Sequence, residues 1–215
     1  MKVMAINGSP RKKWNTAMML ESALEGAASK GAETDLVHLY DLNFKGCISC
    51  FVCKMLDGKS LGRCGYQDDL TPILREIDEV DALILGTPIY FGLETGALRS
   101  FMERLLFQYL QYSDPPKTLL PKRIKSGFIY TMNAPEEMAK KVGYIDHFKS
   151  NQEMMNMFMG DSEYIASYET LQFKDYSKVE SGMMNVPQRL KRREEVFPVD
   201  RQKAFDMGVR LAEAI

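Results

Sequence analysis

Apolar and polar residues form blocks along this chain that predict five β-strands separated by α-helices. Short apolar runs, typical of strands buried on both faces of a parallel sheet, begin the chain and recur near its centre. Stretches with apolar residues three and four positions apart follow these runs and indicate amphipathic helices. The predicted strands cover residues 2–7, 34–39, 80–86, 125–131 and 164–173, and the predicted helices cover residues 15–30, 70–77, 95–112, 135–157 and 198–214.

The order of these elements predicts a doubly wound α/β fold. Because β-α-β crossovers are right-handed, the strands run parallel and the helices cover both faces of the sheet. We expect a flavodoxin-like, five-stranded parallel sheet with the order 2-1-3-4-5, in one domain spanning residues 1–215. This order brings the carboxyl ends of strands one and three together, at the crevice where such sheets bind ligands.

The loop after the first strand has the chemistry of an anion site. Residues 8–10 break the strand, and Asn15 and Thr16 open the next helix. The free N–H groups of the first helical turn and the helix dipole both favour an anion there. Hydroxyl and amide donors, joined by the guanidinium of Arg11, suit one phosphate monoester. The alternative is an ordinary strand-to-helix turn, since the loop lacks the glycine patterns of nucleotide-binding motifs.

The loop after the third strand, residues 87–92, offers apolar and aromatic surface. It contains a proline, two aromatic residues and a glycine directly after an apolar strand, which suits a flat aromatic ligand. A further polar loop, residues 132–135, follows the fourth strand. Since two of these loops meet at the crevice of the predicted sheet, a ligand site is favoured over unrelated turns.

All four cysteines lie between residues 41 and 67, a long loop with little periodicity. They are Cys47, Cys50, Cys53 and Cys64. Such clustering favours metal or redox chemistry over structural disulfides in a reducing compartment. Asp68 and Asp69 follow the loop and are expected to cap the helix predicted at 70–77.

Composition excludes several classes of partner. The 215 residues are 45% hydrophobic and 27% charged, with a net charge of -1, so neither nucleic acid nor an anionic membrane is expected. No apolar run approaches the ~20 residues of a membrane helix. The chain enters a strand at once, without a signal peptide, and we expect a cytoplasmic protein. Residues 174–197 are polar and charged and are expected to form a solvated surface excursion.

The motifs together resemble those of the NAD(P)H-dependent FMN reductases. Residues 8–16 resemble the phosphate loop of that family, and residues 87–92 resemble its isoalloxazine loop. The Cys-x-x-Cys-x-x-Cys pattern with a fourth cysteine resembles the iron–sulfur flavoprotein branch, although residues 54–63 make the last gap longer here. The resemblance implies that FMN contacts Ser9, Arg11, Asn15, Thr16, Pro88, Ile89, Tyr90, Phe91, Gly92, Asn133 and Ala134.

The resemblance implies an oxidoreductase that takes hydride from NAD(P)H and passes electrons to a quinone, a flavin or another small acceptor. No catalytic residue is identified, because FMN carries the chemistry. A first alternative is an electron carrier with a [4Fe–4S] cluster on the four cysteines and a protein partner. A second alternative is a non-redox binding module with structural zinc on the same cysteines.

The chain is expected to form a homodimer or homotetramer. The family resemblance implies such assemblies. In addition, the predicted helix 95–112 and the methionine-rich residues 154–159 hold more apolar side chains than one helix face can bury. Soluble monomers rarely expose such surface.

Overall fold

The computed structural model describes residues 1–56 and 58–213 and confirms the predicted fold. Its main sheet has five parallel strands in the order β2-β1-β3-β6-β7. This is the flavodoxin-like order predicted from the sequence. The strands are β1 (Lys2–Asn7), β2 (Glu33–His38), β3 (Ala82–Pro88), β6 (Lys125–Thr131) and β7 (Ser162–Ser167), and a separate antiparallel hairpin pairs β4 (Leu110–Gln111) with β5 (Lys117–Thr118).

Alternating side chains of the central strand β1 enter two different cores. Val3 and Ala5 belong to one cluster, and Met4 and Ile6 belong to the other. This follows from the two-residue period of a strand, which points successive side chains to opposite faces. The apolar runs seen in the sequence therefore mark strands that are covered on both sides.

Helices cover each face of the sheet. The described helices are α1 (Asn15–Ala28), α2 (Leu70–Glu76), α3 (Gly96–Tyr109), α4 (Glu136–Lys141), α5 (Tyr144–Phe158), α6 (Val186–Glu195) and α7 (Phe197–Leu211). Helices α1 and α7 pack on the Val3 face, whereas α2, α3 and α5 pack on the Ile6 face. A Cβ atom added to Gly208 of α7 would lie 1.8 Å from the Ala23 carbonyl oxygen, so α1 and α7 approach closely only because this position lacks a side chain.

Two predicted elements differ from the structure. The helix predicted at 135–157 is divided into α4 and α5 at Gly143, whose φ of 84° is incompatible with a continuous right-handed helix. The strand predicted to reach residue 173 ends at Ser167, because the chain turns at Glu169, which has a φ of 48°. The amide of Thr170 then donates to the Met132 carbonyl at 2.9 Å.

The stretch at 174–197 is not only the solvated excursion expected from its composition. It contains α6, which Asn185 caps by accepting a hydrogen bond from the Gln188 amide at 3.2 Å. One face of α6 points inward, since Arg189 is 7% exposed. In the part of the chain that the structure describes, no helix is both long and apolar enough to cross a membrane.

Candidate functional site

A tight junction at Gly8 joins the ends of β1 and β3. The Gly8 amide donates to the Gly86 carbonyl at 2.8 Å, and the Thr95 hydroxyl donates to the Gly8 carbonyl at 2.7 Å. A Cβ at position 8 would lie 2.8 Å from the Cβ of Leu98 and 3.1 Å from the Gly86 oxygen. Only glycine allows this approach, which fixes the first loop beside the start of α3.

The loop that follows Gly8 is organised by short-range hydrogen bonds. The Ser9 amide donates to Asn7 Oδ1 at 2.9 Å, and the Arg11 amide donates to Ser9 Oγ at 3.1 Å. Helix α1 begins at Asn15, and no described side chain caps its first turn. The first turn of α1 thus retains the N–H groups and positive end of a helix for an anion.

Side-chain donors of this loop are paired with carbonyl groups of the segment after β7. The Leu171 carbonyl accepts from Trp14 Nε1 at 2.8 Å and from Asn15 Nδ2 at 2.7 Å. The Arg11 guanidinium donates to the Gln172 carbonyl. The backbone at 171–172 therefore closes one side of the loop and keeps its donors satisfied.

The loop after β3 is a tight turn with a left-handed centre. Tyr90 and Leu93 exchange backbone hydrogen bonds, while Phe91 and Gly92 have φ values of 51° and 93°. Two positive φ values at the centre of a hairpin are typical of a type I′ turn, which glycine adopts freely and phenylalanine only at a cost. The Phe91 side chain is fully exposed at the tip.

A buried carboxylate anchors this turn to α5. The Glu94 side chain is 1% exposed, and its Oε1 accepts from His147 Nε2 at 2.8 Å and from Asn151 Nδ2. Asn151 also contacts the hydroxyl of Tyr130 at 3.1 Å. Burial raises the pKa of Tyr130 well above its ordinary value, so this phenol stays neutral. The network holds the base of the turn in one position.

The structure brings most of the predicted cofactor residues around a single cavity. Eight of them line it: Ser9, Arg11, Asn15, Thr16, Pro88, Ile89, Tyr90 and Asn133. Phe91, Gly92 and Ala134 are not among its described lining residues. The wall is completed by residues that the sequence reasoning did not select, namely Trp14, Thr131, Met132, Thr170, Leu171 and Gln172. Among the described lining residues there is no carboxylate and no histidine.

Helix α6 supplies two arginines that were missed. Arg193 Nη1 donates to Asn15 Oδ1 at 2.9 Å, and its guanidinium carbon lies 4.0 Å from the ring centroid of Phe197. Arg189 Nη2 donates to the Asn133 carbonyl at 3.0 Å. Their four-residue spacing places both on one helix face, a signal that was available in the sequence. Arg193 thus binds the loop after β1, and Arg189 binds the loop after β6.

The four cysteines line a second, smaller cavity. Cys53 is buried, Cys64 is half-buried, and Cys47 and Cys50 are exposed. Ser49 and Phe51 adopt left-handed φ values of 54° and 56°, which wind residues 47–53 into a compact loop. Within residues 1–56 and 58–213, no three cysteine, histidine or carboxylate side chains are arranged as a site for a metal ion.

Helix α3 holds the cysteine loop through its far half. Glu103 Oε2 accepts from the Cys47 amide at 3.3 Å, and Gln108 Oε1 accepts from the Cys64 amide at 3.0 Å. The ammonium of Lys54 donates to the Phe107, Gln108 and Leu110 carbonyls at the end of the helix. Burial lowers the pKa of Lys54, while the neighbouring Cys53 opposes that effect.

Arg104 lies beneath the cysteine loop and is 1% exposed. Its Nη1 donates to Asp68 Oδ1 at 2.7 Å and Oδ2 at 2.6 Å, and its Nη2 donates to the Tyr66 carbonyl at 2.8 Å. Burial disfavours its charge, but hydrogen bonding by Asp68 and Cys64 outweighs this and raises the Arg104 pKa. Asp68 also accepts from the Leu70 amide, but the predicted capping by Asp68 and Asp69 is only partly present. Asp69, the N-cap residue of α2, makes no side-chain cap hydrogen bond and accepts from the Asn43 amide instead.

The fold and the main cavity define a flavodoxin-like α/β protein with a cleft at the point where the strand order reverses. Comparison with known proteins gives the family. The sequence profile of the NADPH-dependent FMN reductases matches residues 1–120, more than half of the chain. The chain belongs to the NADPH-dependent FMN reductase family.

Relatives of known class cover the same part of the chain. An iron–sulfur flavoprotein from Methanocaldococcus jannaschii is 39% identical over 104 residues, which are 48% of this chain and 51% of the relative. One from Archaeoglobus fulgidus is 33% identical over 147 residues, which are 68% of this chain and 61% of the relative. The chain thus spans about half to three-fifths of the length of these two relatives.

Solved structures share the fold over the whole chain. An NAD(P)H:quinone oxidoreductase from Methanothermobacter marburgensis has a TM-score of 0.70 at 16% identity, covering 98% of both chains. An FMN-dependent NADH-azoreductase from Bacillus anthracis has a TM-score of 0.67 at 14% identity, covering 99% of this chain and 100% of the other. At these identities the likeness is one of fold.

We expect Arg193→Gln to weaken FMN binding by about 0.5–1.5 kcal/mol, the net value of one hydrogen bond. The variant removes the hydrogen bond to Asn15 Oδ1, one of the two hydrogen bonds that orient the Asn15 amide. Fluorescence titration of FMN into the cofactor-free protein measures the effect. The matched control is Lys191→Gln on the same helix, since Lys191 is exposed and forms an ion pair with Glu195 at 3.9 Å. Equal affinities of the two variants would contradict the assigned role of Arg193.

Proposed function

We propose that the protein is an FMN-dependent oxidoreductase that takes hydride from NAD(P)H and passes electrons to a quinone, a flavin or another small acceptor. One observation carries the proposal: the anion-binding helix end after β1 and the aromatic turn after β3 line the same cavity. Their positions match the two ends of FMN, a phosphate and a flat ring. Family membership supports the same cofactor.

The chemistry of the cavity wall fits FMN. Asn133 Oδ1 is buried and has no hydrogen-bond partner among the described residues. An amide oxygen in this state needs an N–H donor, and the pyrimidine edge of the isoalloxazine ring has one. At the opposite end, the uncapped first turn of α1 and the Arg11 guanidinium provide N–H groups for a phosphate.

FMN, when bound, supplies hydride transfer between NAD(P)H and the acceptor. The residues of this chain hold and orient it. Ser9, Asn15 and Thr16 provide hydroxyl and amide groups near the phosphate end, while Pro88 and Ile89 offer apolar contact for the ring. The role we propose for the described wall is to bind and orient FMN.

A single FMN-binding domain over residues 1–215 and self-association are also proposed. The apolar surface expected at residues 154–159 is only partly present, because Met155 and Met159 are buried in the core of the chain itself. Exposed apolar side chains instead gather in and near the cysteine loop, at Ile48, Phe51, Met55, Leu56, Leu61 and Tyr112. Such surface favours a homodimer or homotetramer. Light scattering of the FMN-bound protein tests this, and a monomer mass at every concentration would contradict it.

The first functional test compares FMN with riboflavin. FMN should bind much more tightly, because only FMN carries a phosphate. Arg11→Ala should weaken FMN by about 1.5–3 kcal/mol, the value of a hydrogen bond to a charged group, and leave riboflavin nearly unchanged. Lys12→Ala is the control, since Lys12 is exposed and pairs with Asp41. Equal affinities for FMN and riboflavin would refute the phosphate assignment. NADH and NADPH oxidation with a quinone acceptor then tests the activity.

A second candidate function is electron transfer through a [4Fe–4S] cluster to or from FMN. The observation that favours it is that all four cysteines line one cavity. The donor chemistry matches such a cluster, which is ligated by four cysteine thiolates, and the thiols would have to move closer together to hold it. Here the residues that would hold it are Cys47, Cys50, Cys53 and Cys64, and the iron–sulfur relatives support the same assignment.

Chemical analysis separates the alternatives for the cysteines. After anaerobic purification, a cluster should give about four iron and four sulfide per chain, and Cys50→Ala should lose both. Ile48→Ala is the control, because Ile48 is exposed and lines the same cavity without a thiol. Zinc without sulfide would indicate a structural zinc site. A protein with full FMN but no iron, sulfide or zinc would be a simple flavin reductase.

A further inference from the structure

Arg104 has one buried donor with no partner. Among the residues that the structure describes, nothing accepts a hydrogen bond from Arg104 Nε, although the side chain is 1% exposed. An unpaired buried donor on a charged group is costly, and native proteins seldom retain one without a reason. The other nitrogens of Arg104 are fixed on Asp68, Tyr66 and the Lys45 carbonyl, so they cannot turn to satisfy it.

The cavity beside Arg104 contains candidate acceptors for its Nε–H group. Arg104 lines the cysteine cavity together with all four thiols. The Cys64 side chain is close enough to influence Arg104 electrostatically and by hydrogen bonding. The same cavity is lined by the sulfur atoms of all four cysteines, and a thiolate sulfur accepts a hydrogen bond far better than a thiol does.

The positive charge of Arg104 complements the negative charge of a cysteine-ligated centre. A centre ligated by four thiolates carries net negative charge, and on its less exposed side, at Cys53 and Cys64, a fixed cation offsets the cost of that charge. Both carboxylate oxygens of Asp68 accept from Nη1 of Arg104, so this ion pair leaves Nε unoccupied. The positive charge and the free N–H thus remain available to the cysteine side.

We propose that Arg104 is a positioning residue for the cysteine centre: it donates its Nε–H to sulfur at Cys64 and stabilises the more negative, reduced state. The proposal rests on the iron–sulfur function proposed above. Each electron added to such a centre makes it more negative, and hydrogen bonds to its sulfurs raise its reduction potential. Arg104 therefore sets how easily the centre accepts an electron, while Asp68 moderates that effect.

Two substitutions that break the same ion pair provide the test. Arg104→Gln removes a positive charge and should shift the midpoint potential to more negative values. Asp68→Asn removes a negative charge and should shift it to more positive values. A redox titration of the full protein followed by electron paramagnetic resonance measures both. If Arg104 only held the loop in place, the two variants would shift the potential in the same direction or leave it unchanged, and either result would overturn the proposal.

Further variants guard against a folding defect. Arg104→Lys retains the charge but not the planar Nε–H group, so its potential should lie between those of the wild type and Arg104→Gln. Arg123→Gln is the matched control, because Arg123 is exposed and its described hydrogen bond goes to the Asn156 carbonyl at 2.8 Å, away from the cysteine loop. If Arg104→Gln does not fold, opposite shifts in Arg104→Lys and Asp68→Asn still support the proposal, and parallel shifts still refute it.

Cadmium binding to the iron-free protein tests the donor independently of the cluster. Thiolate–cadmium absorption in the ultraviolet gives the affinity for Cd²⁺. Arg104→Gln should bind Cd²⁺ about tenfold more weakly, as expected for losing a hydrogen bond to a charged group, and Asp68→Asn should not weaken binding. An affinity of Arg104→Gln equal to that of Arg123→Gln would overturn the proposal. Wild-type protein that binds Cd²⁺ but contains no iron would refute the electron-carrier function alone.

Discussion

The contact between Gly8 and Gly86 is the constraint on which the candidate site depends. It places the end of β1 directly against the end of β3, and the hydroxyl of Thr95 closes the junction by donating to Gly8. A side chain at position 8 would push the two loops apart, since Leu98 leaves no room for a Cβ. The anion-binding loop and the aromatic turn therefore have a fixed separation before any ligand arrives, which is what a bifunctional ligand such as FMN requires.

Helix α3 extends this constraint to the cysteine loop. Its first turn is capped by Thr95, next to the aromatic turn, and its far half contacts the cysteine loop through Glu103, Arg104 and Gln108. A 14-residue helix is a stiff connection about 20 Å long. The two candidate centres are thus attached to opposite ends of one rigid element, so neither can shift without moving that element.

The fold was predictable because local patterns determine it. Apolar runs identified the buried strands, and the order of elements gave the sheet order that the structure confirms. The arginines of α6 were not recognised, since their partners are remote: Arg193 and Asn15 are 178 positions apart. The helix predicted at 135–157 was wrong in being continuous, and the last strand was predicted to end too late, for a related reason. Left-handed residues at Gly143 and Glu169 redirect the chain, and a hydrophobic pattern carries no information on φ.

The carbonyl groups of Leu171 and Gln172 bear on how the protein folds and then binds its cofactor. Trp14, Asn15 and Arg11 donate to these two carbonyls, so the loop that faces the predicted phosphate is already hydrogen-bonded. These hydrogen bonds lie within the chain, so the loop can fold before the cofactor binds. In the FMN complex proposed above, these donors would exchange a peptide oxygen for a phosphate oxygen, and the affinity would reflect the difference between the two acceptors.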